Sequence, residues 1–286
     1  LEEVTPRFTE EAIKVINGHK EIKSDKPLFL HLAYPGPHTP WLPTKEFEGK
    51  SGAGLYGDFA TMIDAEIGRV LKALDNSSMA DNTLVIFTSD NGPVWLEEDV
   101  KKFGHDSSGP LRGMKADAWE CGHRMPFITR WPEKVTAGTV TGQNICFTDL
   151  LATFAAITGA ELGENDGPDS FDILPVLLGE HPEDKPVRGP IALAAGKGHM
   201  TVRSGDWKLI TGPGSGGFSG RNERKPTPES PPGQLYNLKE DLGETENRYN
   251  THPEIVDRLL KELDSIKKAT RTRPEKSRRS ASFARI

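Results

Sequence analysis

Asp90 and Asn91 stand directly after the apolar run TLVIFTS (83–89) and before Gly92-Pro93. A carboxylate next to an amide carbonyl offers hard oxygen donors suited to calcium or magnesium, although Asp-Asn-Gly alone also reads as a turn. His38, held between Pro37 and Thr39-Pro40, follows a second apolar run, LFLHLAY (28–34). A histidine on a stiff loop at a strand end is suited to proton transfer. Leu111-Arg112-Gly113-Met114-Lys115 sets two cations beside a glycine, able to grip an anion or simply to form a solvated basic loop. Glu48-Gly49-Lys50-Ser51 lacks the first glycine of a phosphate-binding loop, because that position is Thr44. The only cysteines, Cys121 and Cys146, form neither a disulfide framework nor a spaced zinc set and read as packed thiols.

The elements that must position these groups follow from periodicity. Ala12, Ile13, Val15 and Ile16 predict a helix over 9–20, started by Thr9, and Phe59, Ile63, Ile67, Val70, Leu71 and Leu74 predict a longer one over 56–74. The runs 28–34 and 83–89 read as buried strands and PFITRW (126–131) as another, with an irregular connection over 94–125. TDLLATFAAITG (148–159) reads as a helix stopped by Gly159. Helix and strand in alternation predict an α/β sheet, whose ligands bind beyond the carboxyl ends of strands, where His38 and Asp90-Asn91 fall. After a Pro/Gly/Asp-rich boundary at 160–190, the short runs 191–195, 200–204, 207–211 and 234–238 predict an antiparallel meander. Residues 212–234 read as a mobile loop, and Thr251 as the cap of a last helix through Ile266.

At 286 residues the chain can hold one large or two modest domains, and no apolar run approaches the roughly 18 residues of a membrane span. Residues 267–286 carry eight Lys/Arg against the single Glu275, so a net charge of −6 leaves the remainder at −13. An acidic body argues against nucleic acid as a partner, and the basic end reads as a solvated, disordered tail. The start at Leu1 shows no secretory signal.

Taken together, PLFLHLAYPGPHTPW (27–41), DNTLVIFTSDNGP (81–93), GPLRGMKADAWECGHRMPFITRWP (109–132), FTDLLATFAAITG (147–159) and VRSGDWKLI (202–210) closely resemble the formylglycine-dependent sulfatases of the alkaline-phosphatase-like superfamily. The resemblance implies an α/β/α sandwich on a mixed sheet, incomplete here, over 1–185. A smaller antiparallel sheet with a terminal helix is expected over 186–266, with the tail beyond. It implies Asp90 and Asn91 as two calcium ligands, His38 as a sulfate contact that protonates the leaving alcohol, and Lys115 as the cation that neutralises sulfate charge. His105, Asp106 and Arg112 are expected at the substrate. Glu120 and Arg124, in W-E-x-G-x-R-x-P, read as a buried ion pair, His123 as structural, and His199 as an optional approach to the pocket.

The family's C-x-P-S-R segment, whose cysteine becomes formylglycine, and the paired aspartates that complete its calcium site are not in this sequence. The expectation is therefore the C-terminal portion of a longer sulfatase that hydrolyses aryl or carbohydrate sulfates in its complete form. The calcium and formylglycine would be completed outside this chain, and these residues alone would be inactive. A sulfated small molecule or glycan is the expected partner, and the family implies a periplasmic or extracellular location. The rival readings are a phosphodiesterase or phosphonate hydrolase of the same superfamily and a catalytically dead interaction module.

Overall fold

Thr5, Thr9, Ala12 and Ile16 recur at intervals of three or four residues and are the buried face of the first helix, α1 (Val4–Glu21). In the computed structural model, residues 1–22, 26–219 and 227–274 are described. They divide into a first unit, Leu1–Ile86 with Trp95–Ser107 and Thr129–Val135, and a second, Phe87–Val94 with Ser108–Ile128 and Thr136–Ile286. The fold is of mixed α/β class.

In the first unit α1 begins five residues before Thr9. That threonine does not cap the helix: it is buried within it, donating to the Thr5 carbonyl and sharing a hydrogen bond with the Tyr34 hydroxyl. Ile16 packs on Ala73 and Leu74 of α2 (Gly54–Asn76), whose Phe59, Met62 and Ile63 build a second cluster beside Tyr34, Trp41 and Phe47. The loop at 49–51 turns its backbone amides onto a carboxylate of the chain itself: Asp58, 3% exposed, accepts from Gly49 N, Ser51 N and Ser51 Oγ at 2.7–2.8 Å. Burial opposes ionisation of Asp58, but these donors prevail and hold its carboxyl below the usual range.

The run 28–34 is a correction to the sequence reading. It forms no strand, and Phe29 is 74% exposed. β1 (Val85–Thr88) and β2 (Phe127–Arg130) do form and pair in a two-stranded sheet, but neither is a buried strand, since Phe87 and Ile128 are exposed. The connection between them includes a helix, α3 (Glu97–Phe103), within the first unit.

The second unit contains the predicted helix, α4 (Leu150–Thr158), ended by Gly159 at φ +70°, where only glycine avoids strain. Its entry is held by the buried Asp149 carboxylate, which accepts from Cys146 N, Phe171 N and the Arg188 guanidinium. A one-turn helix, α5 (Leu174–Leu177), follows. β3 (Ile191–Ala194), β4 (Met200–Ser204), β5 (Trp207–Ile210) and β6 (Gln234–Asn237) form the predicted antiparallel meander in chain order. Its alternation gives it two dry faces. Val202, Leu209 and Leu235 pack on Val256, Leu259 and Leu263 of α6 (Pro253–Ala269), and Ile210 and Tyr236 pack on Ala118 and Trp119.

Three further expectations change here. Thr251 does not cap α6: its hydroxyl donates to the Arg248 carbonyl, and Pro253 opens the helix after His252. Residues 267–269 finish α6, and Arg271 and Arg273 donate to the carbonyls of Glu164 and Asp166, so the basic end is ordered as far as it is described. The remainder of the predicted tail, 275–286, lies outside the described residues. Residues 212–219 are largely packed instead of forming an open loop, with Ser215 fully buried and its carbonyl accepting from Ala118 N, while 220–226 lie outside the described residues.

Candidate active site

β1 delivers the chain to Ser89, whose hydroxyl donates to the Asn91 carbonyl and fixes the turn. The Asn91 side-chain amide donates to the Gly92 carbonyl at 2.9 Å, which commits the nitrogen and leaves Oδ1 as an oxygen donor beside the exposed Asp90 carboxylate. Two backbone bonds then join this turn to the Lys115 loop, from Gly92 N to the Gly122 carbonyl at 3.2 Å and from Lys115 N to the Pro93 carbonyl at 2.8 Å. A Cβ on residue 92 would overlap the Cys121 carbonyl, so the approach requires glycine.

The Lys115 loop is held at each end. Asp117 accepts from Met114 N at 2.8 Å and from Ser219 N and Oγ at 3.1 and 2.5 Å, and the Ala116 carbonyl accepts from Gly196 N at 2.8 Å. Ala116 is bent to φ +71° between these anchors, a strained value for a residue with a side chain. The result is a cleft of about 340 Å³ within the second unit, lined by Asp90, Asn91 and Lys115, with Gly122, His123 and Thr201 among its walls. Among the described residues no ion pair engages Lys115. A half-buried, unneutralised ammonium beside a carboxylate and an amide oxygen can receive an anion held jointly with a cation.

The donor set fits part of a calcium site. Asp90 and Asn91 supply two hard oxygens, whereas calcium takes six to eight. Among the described residues no group of three or more His, Cys, Asp or Glu side chains gathers to complete one.

The other expected residues divide as follows. His38, in the first unit, is exposed, and its Nδ1 lies 2.7 Å from the Thr39 carbonyl. A carbonyl only accepts, so Nδ1 carries the hydrogen and Nε2 is the atom left to exchange a proton. His105 and Asp106 are also exposed in the first unit. The His105 ring stands edge-on to Trp95 at 5.9 Å, and its carbonyl accepts from Trp95 Nε1. Trp95 belongs to an aromatic group with Trp41, Tyr56 and Phe103 that periodicity did not reveal. The Arg112 guanidinium lies 3.6 Å over the Trp119 ring and donates to the Glu244 carbonyl and the Tyr236 hydroxyl. It braces the loop and does not line the cleft.

Glu120 is paired with Arg124 at 3.2 Å, but its most enclosed partner is Lys208 at 3.0 Å, a residue with no assigned role in the sequence reading. Lys208 also lies 2.9 Å from Glu244, and both are fully enclosed. Burial alone would raise the Glu120 carboxyl, but the charge of Lys208, the contact with His123 and the charge of Arg203 outweigh it and hold the group well below the usual range. Burial pushes Glu244 up, with Lys208 opposing. Burial and then Lys208 push the His123 imidazole down, which keeps it neutral. His199 packs against Gly212 and Gly216, and Cys121 is a buried thiol. The signal that marks Lys208 is positional: in W-K-L-I the lysine shares a strand face with Ile210, opposite Leu209.

A family model described as Sulfatase matches residues 3–160. An N-acetylgalactosamine-6-O-sulfatase of Bacteroides thetaiotaomicron is 34% identical over 273 residues, 93% of this chain and 51% of that protein. Human N-acetylgalactosamine-6-sulfatase is 34% identical over 207 residues, 71% of this chain and 38% of its own length. A solved structure from the glycosaminoglycan-metabolising core locus of B. thetaiotaomicron superposes with a TM-score of 0.79 at 32% identity, covering 93% of this chain and 55% of that one. The chain thus spans about half the length of these relatives. With more than half of its residues matching the family model and the Asp90-Asn91 and Lys115 segments meeting in one cleft, the chain belongs to the sulfatase family.

Proposed function

We propose that the complete protein hydrolyses a sulfate ester to an alcohol and sulfate, and that the ester is carried by a carbohydrate. The observation that supports this most directly is the convergence of Asp90, Asn91 and the unpaired Lys115 on one cleft in a chain of sulfatase ancestry. Lys115 binds a sulfate oxygen and offsets the charge that grows as the sulfur–oxygen bond breaks. Asp90 and Asn91 contribute oxygen donors to a calcium ion, which when bound supplies Lewis-acid neutralisation of the sulfate group. His38 delivers a proton from Nε2 to the departing alcohol oxygen, with Nδ1 anchored on the Thr39 carbonyl. The nucleophile in this reading is the formylglycine of a C-x-P-S-R segment outside these 286 residues, and residues 1–286 alone are inactive. His105 and Asp106 meet the sugar.

The carbohydrate assignment rests on the names of two of the relatives, both N-acetylgalactosamine-6-sulfatases, of which one matches over 93% of this chain. The same names favour sulfate over a phosphodiester or phosphonate substrate. We further assign residues 1–185 to the α/β/α domain of the complete enzyme, residues 186–266 to its small C-terminal subdomain, and the enzyme to the periplasm or the extracellular space. Among the described residues no helix is long and apolar enough to cross a membrane.

The test is hydrolysis by the complete protein of a 6-sulfated N-acetylhexosamine and an aryl sulfate, against the matched phosphodiester and phosphonate. Sulfate turnover at least about 10²-fold above the phosphorus esters is expected, the scale of one well-used transition-state contact. A preference for a phosphorus ester, or no turnover of any of them, refutes the assignment.

A further inference from the structure

Lys208 is the bulkiest fully enclosed side chain among the described residues, and it lies between two enclosed carboxylates. Buried ionic clusters seldom stabilise a fold more than apolar packing of the same volume would. What distinguishes this one is what its members hold. Glu244 accepts from the backbone of Glu120 at 2.6 Å, its own carbonyl accepts from Arg112 at 2.6 Å, and its other carboxylate oxygen meets Lys208. The Arg112 carbonyl accepts from Cys121 N at 2.9 Å, so the loop that carries Lys115 is closed between its two gripped ends. Arg203, which pairs with Lys208 across β4 and β5, reaches Glu120 as well, at 3.4 Å. Beyond Glu120 the chain passes through Cys121 and Gly122, against which the Gly92 turn is sealed.

We propose that the Glu120–Lys208–Glu244 cluster is a positioning device, through which the C-terminal meander sets the Lys115 loop against the Asp90-Asn91 turn. Charge makes the device directional. Lys208, carried by β5, donates to Glu120 at 3.0 Å and faces Glu244 as an ion pair at 2.9 Å, so displacing the loop from this position would separate buried opposite charges. An apolar contact of similar area would permit several positions. The meander is therefore part of the anion site even though none of the three charged groups lines the cleft. In its catalytic consequence the proposal rests on the function proposed above, whereas in its structural content it does not.

The experiment uses the complete protein and the triple variant Glu120→Gln/Lys208→Met/Glu244→Gln, which removes the buried charges together and so avoids stranding one. Amide hydrogen exchange is read at Gly92 and Lys115, two backbone groups that touch none of the substituted side chains. Exchange at both should accelerate by about tenfold or more while the protein still melts cooperatively. The cost of adding Lys115→Ala should shrink from about 10²- to 10³-fold in the parent to below about tenfold in the triple variant, because a mispositioned cation has less to lose. Leu259→Ala, which hollows the opposite face of the meander, lowers the melting temperature without moving exchange at Gly92 or the Lys115→Ala cost. If the triple variant does not fold, Glu244→Gln alone removes one charge while keeping an acceptor for Glu120 N, and the same exchange is expected in the same direction. Unchanged exchange at Gly92 and Lys115 in the variant that folds overturns the proposal. A parent that hydrolyses no sulfate ester defeats the functional reading instead, and the exchange result still decides this one.

Discussion

The two segments that carry the groups expected at sulfate are built by opposite means. In the second unit, the Asp90 turn and residues 108–124 are closed by long-range contacts, with Ser219 on Asp117, Gly196 on Ala116, and Lys208 and Glu244 on Glu120. Residues 28–41 of the first unit form no strand, and His38 is oriented by the carbonyl of its own neighbour, Thr39. The imidazole proposed for proton transfer is thus aimed by local geometry alone, while the lysine proposed to bind sulfate is aimed by residues about a hundred positions away in the chain. The first arrangement survives changes elsewhere in the fold, and the second depends on them.

That contrast can be broken most directly at Lys115. In the complete protein Lys115→Ala should lower turnover by about 10²- to 10³-fold with little loss of stability, since among the described residues no ion pair engages the ammonium. Steady-state kinetics together with a thermal melt decide it, and near-normal turnover would remove Lys115 from the site. Leu259→Ala, under the meander that supports the loop, should cost about 2–5 kcal/mol in unfolding free energy by chemical denaturation, because a fully enclosed leucine leaves a cavity.

At the seam itself, Gly92→Ala should cost about 1–3 kcal/mol, as its methyl must displace the Cys121 carbonyl. A neutral result in the same denaturation series would mean that the turn yields freely. Acidification probes the enclosed side more gently. The His123 imidazole titrates below its ordinary value of 6.5 in the folded chain, so the unfolded chain takes up the proton first. Its contribution is complete above about pH 6.5 and is lost as pH falls towards the folded value. The melting temperature should decline below that pH, and the decline should be shallower in His123→Gln. Parallel pH profiles would show that other groups govern it.

The smallest effect belongs to the exposed segment. Phe29→Ser in residues 1–286 should change stability by no more than about 0.5 kcal/mol, as for an ordinary surface site. A larger loss would show that the segment is packed in solution.

Local periodicity was enough to read α2, α4, the four strands of the meander and their order, because each is completed by neighbours close in sequence and by turns at Gly159 or Ser204-Gly205. The Asp90-Asn91 segment was legible too, as oxygen donors at the end of an apolar run, and the Lys115 segment as two cations beside a glycine. The same reasoning failed where an apolar composition was taken for burial. LFLHLAY has a strand's composition, but composition cannot supply the flanking strands that would enclose it. The contacts of Arg112 with Trp119 and Glu244 are not legible locally, because a cation beside glycine looks equally suited to a substrate or to internal partners. Lys208 was passed over because a charge inside W-K-L-I is unfavourable until two carboxylates from residues 120 and 244 are brought to it. Residue types and spacing determined which groups could act on an anion. Only tertiary structure decided which charges face the cleft and which are consumed in holding it, since burial and pairing arise between residues that the chain keeps far apart.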